Sequence, residues 1–76
     1  MNTKTWRISQ LRPHPKQQDV YGDLSESDFR ELVDDIQRHG LRQPPEIAPD
    51  GTILDGHQRV LAYEHLGHDE IEVVVC

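Results

Sequence analysis

Between Asp50 and Arg59 the chain reads Asp-Gly-Thr-Ile-Leu-Asp-Gly-His-Gln-Arg, and this run leaves the backbone few choices. Asp50-Gly51 is a hairpin-type turn signal. Thr52-Ile53-Leu54 is a short β-branched and aliphatic strand. Asp55-Gly56 then breaks the strand and opens a helix that runs to about Leu66. Asp55 with Gln58 three residues later has the spacing of a reciprocal capping pair, so Asp55 is expected to cap that helix. Gly56 lets another group approach the backbone closely. The first amides of the helix, with the positive end of its dipole, form an anion site. His57, Gln58 and Arg59 add three side-chain donors in the first turn, and Arg59 can grip a phosphate through a bidentate fork. A plain strand-to-helix junction, with glycine for the turn and Asp55 for the cap, accounts for the same residues.

The flanking segments supply the rest of a small domain. Trp6-Arg7-Ile8 reads as a first strand. Residues Leu11 to Gly22 contain two prolines and many polar side chains, which predicts a loop long enough to be functional. Ser25 followed by Asp28 has capping-box spacing, and Leu24 with Phe29 fits the hydrophobic staple around it. Phe29, Leu32, Val33 and Ile36 recur at helical spacing and define one apolar face. Asp34, Asp35 and Arg38 take the wet side, and Gly40 is placed to end the helix. Pro45-Glu46-Ile47-Ala48 is a second strand, joined to Thr52-Ile53-Leu54 across the Pro49-Asp50-Gly51 turn. In the second helix Arg59, Ala62, Tyr63 and Leu66 share a face, and Gly67 ends it. Ile71 to Val75 is the last strand. The order β-α-β-β-α-β predicts a single α+β domain over residues 1–76, with two main helices on a small mixed sheet.

Composition limits what such a domain can do. Hydrophobic residues make up 34% of the 76, so the core is small and burial against a partner would help it. A net charge of −6 favours solubility and opposes generic contact with a nucleic-acid backbone. The sequence holds no apolar run of membrane-spanning length and no signal peptide at its start, so a cytoplasmic setting is the default expectation. Cys76 is the only cysteine, which excludes an internal disulfide and a thiolate metal cluster. Of the five histidines, His65 and His68 are three apart but split by Gly67, and no second pair completes a zinc set. No metal site is therefore expected from them. His57 stands apart because it lies beside the anion site, where a protonated imidazole would strengthen phosphate binding.

Three ordered motifs extend the pattern across nearly the whole chain, from about Trp6 to Val75. They are Ile8-Ser9-Gln10-Leu11-Arg12-Pro13-His14-Pro15, then Leu32 to Pro45 with Gly40-Leu41-Arg42-Gln43-Pro44 at its end, then Asp55 to Ala62 followed by Leu66-Gly67. In this order and spacing the chain resembles the N-terminal domain of the ParB family of chromosome-partition proteins, within the wider ParB/sulfiredoxin fold. The resemblance implies that Gly56, His57, Gln58 and Arg59 hold the phosphates of a nucleotide, CTP or ATP, with Mg2+ as an accompanying ion. It implies that Gly40, Leu41, Arg42, Gln43 and Pro44 line the nucleoside. Physically, Gly40 and Leu41 can present backbone groups to a base edge, Gln43 offers both donor and acceptor, and Pro44-Pro45 stiffens the loop. A helix stop with a core leucine explains the same segment equally well. Arg12 and His14 are placed in a loop that can approach the pocket, or they order a proline-rich turn. Asp55 is a helix cap or, alternatively, a ligand to a divalent metal beside the phosphates.

The departures from the family pattern are informative. ParB proteins commonly carry Gly-Glu-Arg-Arg where this chain has Gly56-His57-Gln58-Arg59, so only the last arginine is kept and nucleotide hydrolysis is in doubt. Sulfiredoxins place their catalytic cysteine where this chain has His57, which excludes sulfinic acid reduction by that route. The Glu-Asn-x-Gln-Arg segment, the helix-turn-helix and the dimerisation domain of partition proteins do not occur in these residues. If the 76 residues are the whole protein, it is not expected to be a working partition protein.

Three functions fit the resemblance. A nucleotide-binding regulatory module, acting with an effector, a DNA-binding partner or a second copy, is the leading expectation, and it is not an enzyme in the first instance. A small-molecule kinase of the free-serine-kinase type would need a carboxylate base, for which Asp19, Asp23 and Asp55 are the candidates. A DNA-contacting or nuclease-like domain is opposed by eight Lys and Arg set against fourteen Asp and Glu, with no clustered basic stripe. The chain alone is therefore expected to show no sequence-specific duplex binding near 150 mM salt, the physiological range over which phosphate contacts are already weakened. A gel-shift titration giving a sub-micromolar complex with one duplex and not another would overturn this.

Overall fold

The computed structural model describes residues 3–13 and 25–76. Strand β1 spans Thr3–Arg7, a 3-10 turn follows over Ile8–Gln10, and β2 is the two-residue strand Arg12–Pro13. Helix α1 spans Glu26–His39, β3 spans Glu46–Ile47, β4 spans Thr52–Asp55, α2 spans His57–His65 and β5 spans Glu70–Val75. The strands form one five-stranded sheet in the order β1-β5-β3-β4-β2. It is mixed: β1 with β5 and β3 with β4 are antiparallel, whereas β3 with β5 and β2 with β4 are parallel.

The local signals explain most of these elements. Ser25 caps α1, its Oγ accepting from the Asp28 amide at 3.2 Å, as expected for a serine at that position. Gly40 ends the helix at φ 77°, with its amide donating to the Ile36 carbonyl. Ile36 is buried, and Phe29, Leu32 and Val33 on the same stripe are half-buried. In β5, Ile71 and Val73 are buried while Glu70 and Glu72 are exposed, so one face of the sheet turns to the core and the other to water. Ile8, Ile47, Ile53, Val60, Ile71 and Val73 form the core, with Trp6, Leu11, Leu41, Tyr63 and Val75 packed against it. Val60 joins this core from a position between the face residues Arg59 and Ala62, which widens the apolar stripe of α2.

Two expectations are corrected. The segment read as loop from Leu11 contains β2, whose Arg12 and Pro13 pair in parallel with Thr52 and Ile53. That pairing joins residues forty apart, a contact no local pattern reveals. The first strand ends at Arg7 rather than Ile8, because Ile8 turns inward to the core and its amide bonds to the Asp69 carbonyl at 2.8 Å. Leu24 lies outside the described residues, as do His14, Asp19 and Asp23.

The Asp50-Gly51 turn is where the N-terminal segment meets the β3–β4 hairpin. Gly51 has φ 97°, is buried, and a Cβ added there would lie 2.5 Å from the Gln10 carbonyl oxygen. The Arg12 amide donates to the Gly51 carbonyl at 3.1 Å, and the Arg12 guanidinium donates to the Asp50 carbonyl at 3.2 Å. The Thr52 amide donates to Asp50 Oδ1 at 2.9 Å. That bond, then the Thr52 side chain, and also the nearby Arg12 cation hold the Asp50 carboxyl below its ordinary value of 3.8.

Two outcomes follow from this turn. Replacing Gly51 by Ala should destabilise the fold by about 1–3 kcal/mol more than Gly67→Ala, since both carry positive φ but only Gly51 has backbone in the way of a side chain. Equal losses in chemical denaturation would contradict the close approach. Because the folded pKa of Asp50 is depressed, its stabilisation is present above the unfolded value of 3.8 and is lost as pH falls through the folded value. An NMR titration should place the Asp50 midpoint below 3.8, and an unshifted midpoint would remove the Thr52 bond from the account.

Candidate functional site

The chain passes from β4 into α2 at Gly56, which has φ 91° and ψ 23°. This left-handed conformation is open to glycine at little cost. It corrects the expected cap: Gly56 itself is the N-cap residue, with no side-chain capping bond. Asp55 is instead the last residue of β4, paired with Glu46 across the strand. The spacing of Asp55 and Gln58 suits a cap, but the left-handed turn at Gly56 intervenes and leaves Asp55 in the sheet.

The carbonyl of Gly56 accepts from the amides of both Arg59, at 3.0 Å, and Val60, at 3.2 Å. The amide of Arg59 is therefore used within the helix. The amides of His57 and Gln58 come before Arg59, the first intrahelical donor, and are the ones a helix start turns outward, at the positive end of α2.

Two contacts join this turn to the segment that follows α1, one through Pro45 and one through Gln43. A Cβ on Gly56 would lie 2.8 Å from Pro45 Cβ and 2.9 Å from Arg59 Nη1. The close approach expected at Gly56 is thus made by the protein's own Pro45 and by the guanidinium of Arg59 folding back over the turn. Arg59 Nη2 also donates to Gln43 Oε1 at 3.4 Å, a long bond that places more than it binds. The two motifs, Gly40–Pro44 and Gly56–Arg59, lie side by side. Pro45 is fully buried and its carbonyl accepts from the Val74 amide at 2.9 Å, so the junction rests on the interior strand β5. In the sequence Pro45 has a part in stiffening the loop and opening the second strand but falls outside the nucleoside-lining set, Gly40 to Pro44.

The other candidates divide. Leu41 is half-buried and packs against the core. Arg42 is turned toward α1, with Nη2 3.4 Å from Asp35 Oδ1. Gln43 is exposed, and Pro44 is half-buried. Arg12 serves the Asp50 turn, at the opposite end of β4 from Asp55. His57 Nδ1 is buried with no hydrogen-bond partner among the described residues. Glu46 and Asp55 set two exposed carboxylates opposite one another, an arrangement that repels unless a cation lies between them.

A groove of about 570 Å³ opens at the other end of α2, lined by Arg7, Ser9, Glu64, His68, Asp69 and Glu70 among others. None of the candidate residues line it. Three of its charged side chains are carboxylates against one arginine, and it lies at the negative end of the helix, so it is poorly suited to an anionic ligand. The surface at Gly56 has the charge and donors for one. No group of three or more metal-ligating side chains occurs among the described residues, and no described helix is long and apolar enough to cross a membrane.

No protein-family model matches the chain, and no curated protein matches it in sequence. Solved structures do match. A crystal structure of the C-terminally truncated chromosome-partitioning protein ParB from Caulobacter crescentus, complexed with CTP-γ-S, superposes with a TM-score of 0.86 at 22% identity, over 100% of this chain and 44% of that one. Sulfiredoxin from Arabidopsis thaliana superposes with a TM-score of 0.81 at 22% identity, over 100% of this chain and 85% of that one. A Pnob8-like ParB-N domain gives 0.80 at 15% identity, over 97% of this chain and 29% of that one. The chain thus spans less than half the length of these ParB structures. The chain has the ParB/sulfiredoxin fold, as in ParB N-domains and sulfiredoxin, its described residues forming a five-stranded mixed sheet that carries α1 and α2.

Proposed function

We propose that this domain is a nucleotide-binding regulatory module of ParB N-domain type. The observation that carries the proposal is the meeting of its two motifs, with Gln43 on Arg59 and Pro45 against Gly56. A nucleotide laid across this junction has its phosphates at the outward amides of His57 and Gln58 and at the Arg59 guanidinium. Its nucleoside then lies toward Gly40–Pro44, with Gln43 at the boundary. The CTP-γ-S bound to the Caulobacter protein of the same fold supports CTP as the first nucleotide to try, with ATP second.

The charges at the site favour this reading. Arg59 stands at the positive end of α2, where a cation is repelled by about 0.3–1 kcal/mol unless an anion accompanies it. A phosphate there removes that repulsion. Mg2+, where it accompanies the phosphates, suits the carboxylates of Asp55 and Glu46, which are exposed hard oxygen donors on residues paired between β3 and β4. The partner is a further domain or protein that reads nucleotide occupancy, an effector, a DNA-binding protein or a second copy, in a cytoplasmic setting.

Calorimetric titration with CTP, ATP and GTP, with and without magnesium, tests the proposal directly. Arg59→Ala should cost about 1.5–3 kcal/mol of binding, the range for a charge-assisted hydrogen bond. Unchanged affinity in that variant would place the nucleotide elsewhere on the molecule.

A further inference from the structure

Arg59 differs from the other arginines of the helices and the intervening loop in what holds it. Arg30 pairs with Glu26 at 2.9 Å, Arg38 with Asp34 at 3.2 Å and Arg42 with Asp35 at 3.4 Å. Each of these cations is neutralised locally by a carboxylate. The described partner of Arg59 is the neutral side-chain carbonyl of Gln43, at 3.4 Å. An arginine side chain has large rotamer freedom, and the helix dipole pushes this one away from the turn. It nevertheless lies against Gly56, with Nη1 2.9 Å from where a Cβ would stand.

We infer that Gln43 is a positioning residue for Arg59: its amide holds the guanidinium over the first turn of α2 without discharging it. The inference rests on the phosphate reading of that turn, and it gives Gln43 a role that does not require contact with the nucleoside. An amide suits the task because it accepts one hydrogen bond yet carries no charge. A carboxylate at the same position would hold Arg59 more firmly but occupy its charge, and so compete with the ligand. Because the guanidinium is donor-only, it also fixes the orientation of the amide, with Oε1 toward Arg59 and the two N–H donors turned away. The bond is long and exposed, so Arg59 can shift onto a phosphate at little cost.

Tripolyphosphate, which has no base or sugar, separates this role from nucleoside contact. Affinities are measured by calorimetry for the wild-type protein, Gln43→Ala, Gln43→Glu, Arg59→Ala and the Gln43→Ala/Arg59→Ala double variant, with circular dichroism to confirm that each is folded. Gln43 is exposed on a loop, so its variants should fold. Gln43→Ala should weaken tripolyphosphate about 3- to 10-fold, the scale of one modest hydrogen bond. Gln43→Glu should weaken it more than Gln43→Ala does. In the Arg59→Ala background, Gln43→Ala should change affinity by less than about 2-fold, because the group it positions is gone. Wild-type affinity in Gln43→Ala, or a loss that persists undiminished without Arg59, overturns the positioning role while leaving the phosphate site intact. Failure of the wild-type protein to bind either tripolyphosphate or a nucleotide overturns the phosphate reading and this inference with it.

Discussion

The packing of Gly56 against Pro45 is the contact on which both the fold and the candidate site depend. With φ 91° the chain turns from β4 into α2 within a single residue. A side chain there would strike the Pro45 ring at 2.8 Å, so the turn is available only to glycine. Pro45 is in turn fixed from behind, since its carbonyl takes the Val74 amide and its body is fully buried. The helix N-terminus is therefore tied, through one proline, to the interior strand β5. A donor array built this way is held by the sheet rather than by loops, which limits the conformational entropy lost when a ligand arrives.

How much of this was legible in the sequence follows from the range of each interaction. The Ser25 cap, the Gly40 stop and the alternation through Ile71 and Val73 are local, and each appears where its pattern placed it. Strand β2 could not be read locally, because Arg12 and Pro13 become strand only by pairing with Thr52 and Ile53. Asp55 shows a subtler failure. Its spacing to Gln58 matches a capping pair, and glycine is common near helix starts for reasons that do not reveal its φ. Only the left-handed value at Gly56 determines that the helix begins after it and that Asp55 stays in β4. At the site, the sequence named Gln43 and Arg59 as members of separate motifs. Their contact, and the place of Pro45 between them, depends on how α1 and the hairpin pack, which neither motif encodes alone.

The charge distribution reconciles an acidic protein with an anionic ligand. The net charge of −6 sets an unfavourable long-range field, but at physiological ionic strength that field decays within about 8 Å. What a phosphate meets at contact is local: two outward amides, the end of a helix dipole and one guanidinium that no described carboxylate neutralises. The same acidic balance is why duplex DNA is expected to be a poor partner: a duplex must lay many phosphates along an extended surface, whereas the proposed site gathers its donors at a single point.

That concentration also separates holding a nucleotide from transforming it. Phosphoryl transfer needs an in-line nucleophile, a group to orient it and charge stabilisation on the departing oxygens. The junction supplies the last of these through Arg59 and the helix end. The buried Nδ1 of His57 has no described partner, so this ring lacks the orienting acceptor that a catalytic imidazole normally has. Asp55 and Glu46 are exposed at the strand end, where they suit a hydrated cation better than a base held against a substrate hydroxyl. Under the proposed reading the site registers a nucleotide rather than transforms it, and the hairpin and β5 behind Pro45 are the described elements through which occupancy would reach an attached partner.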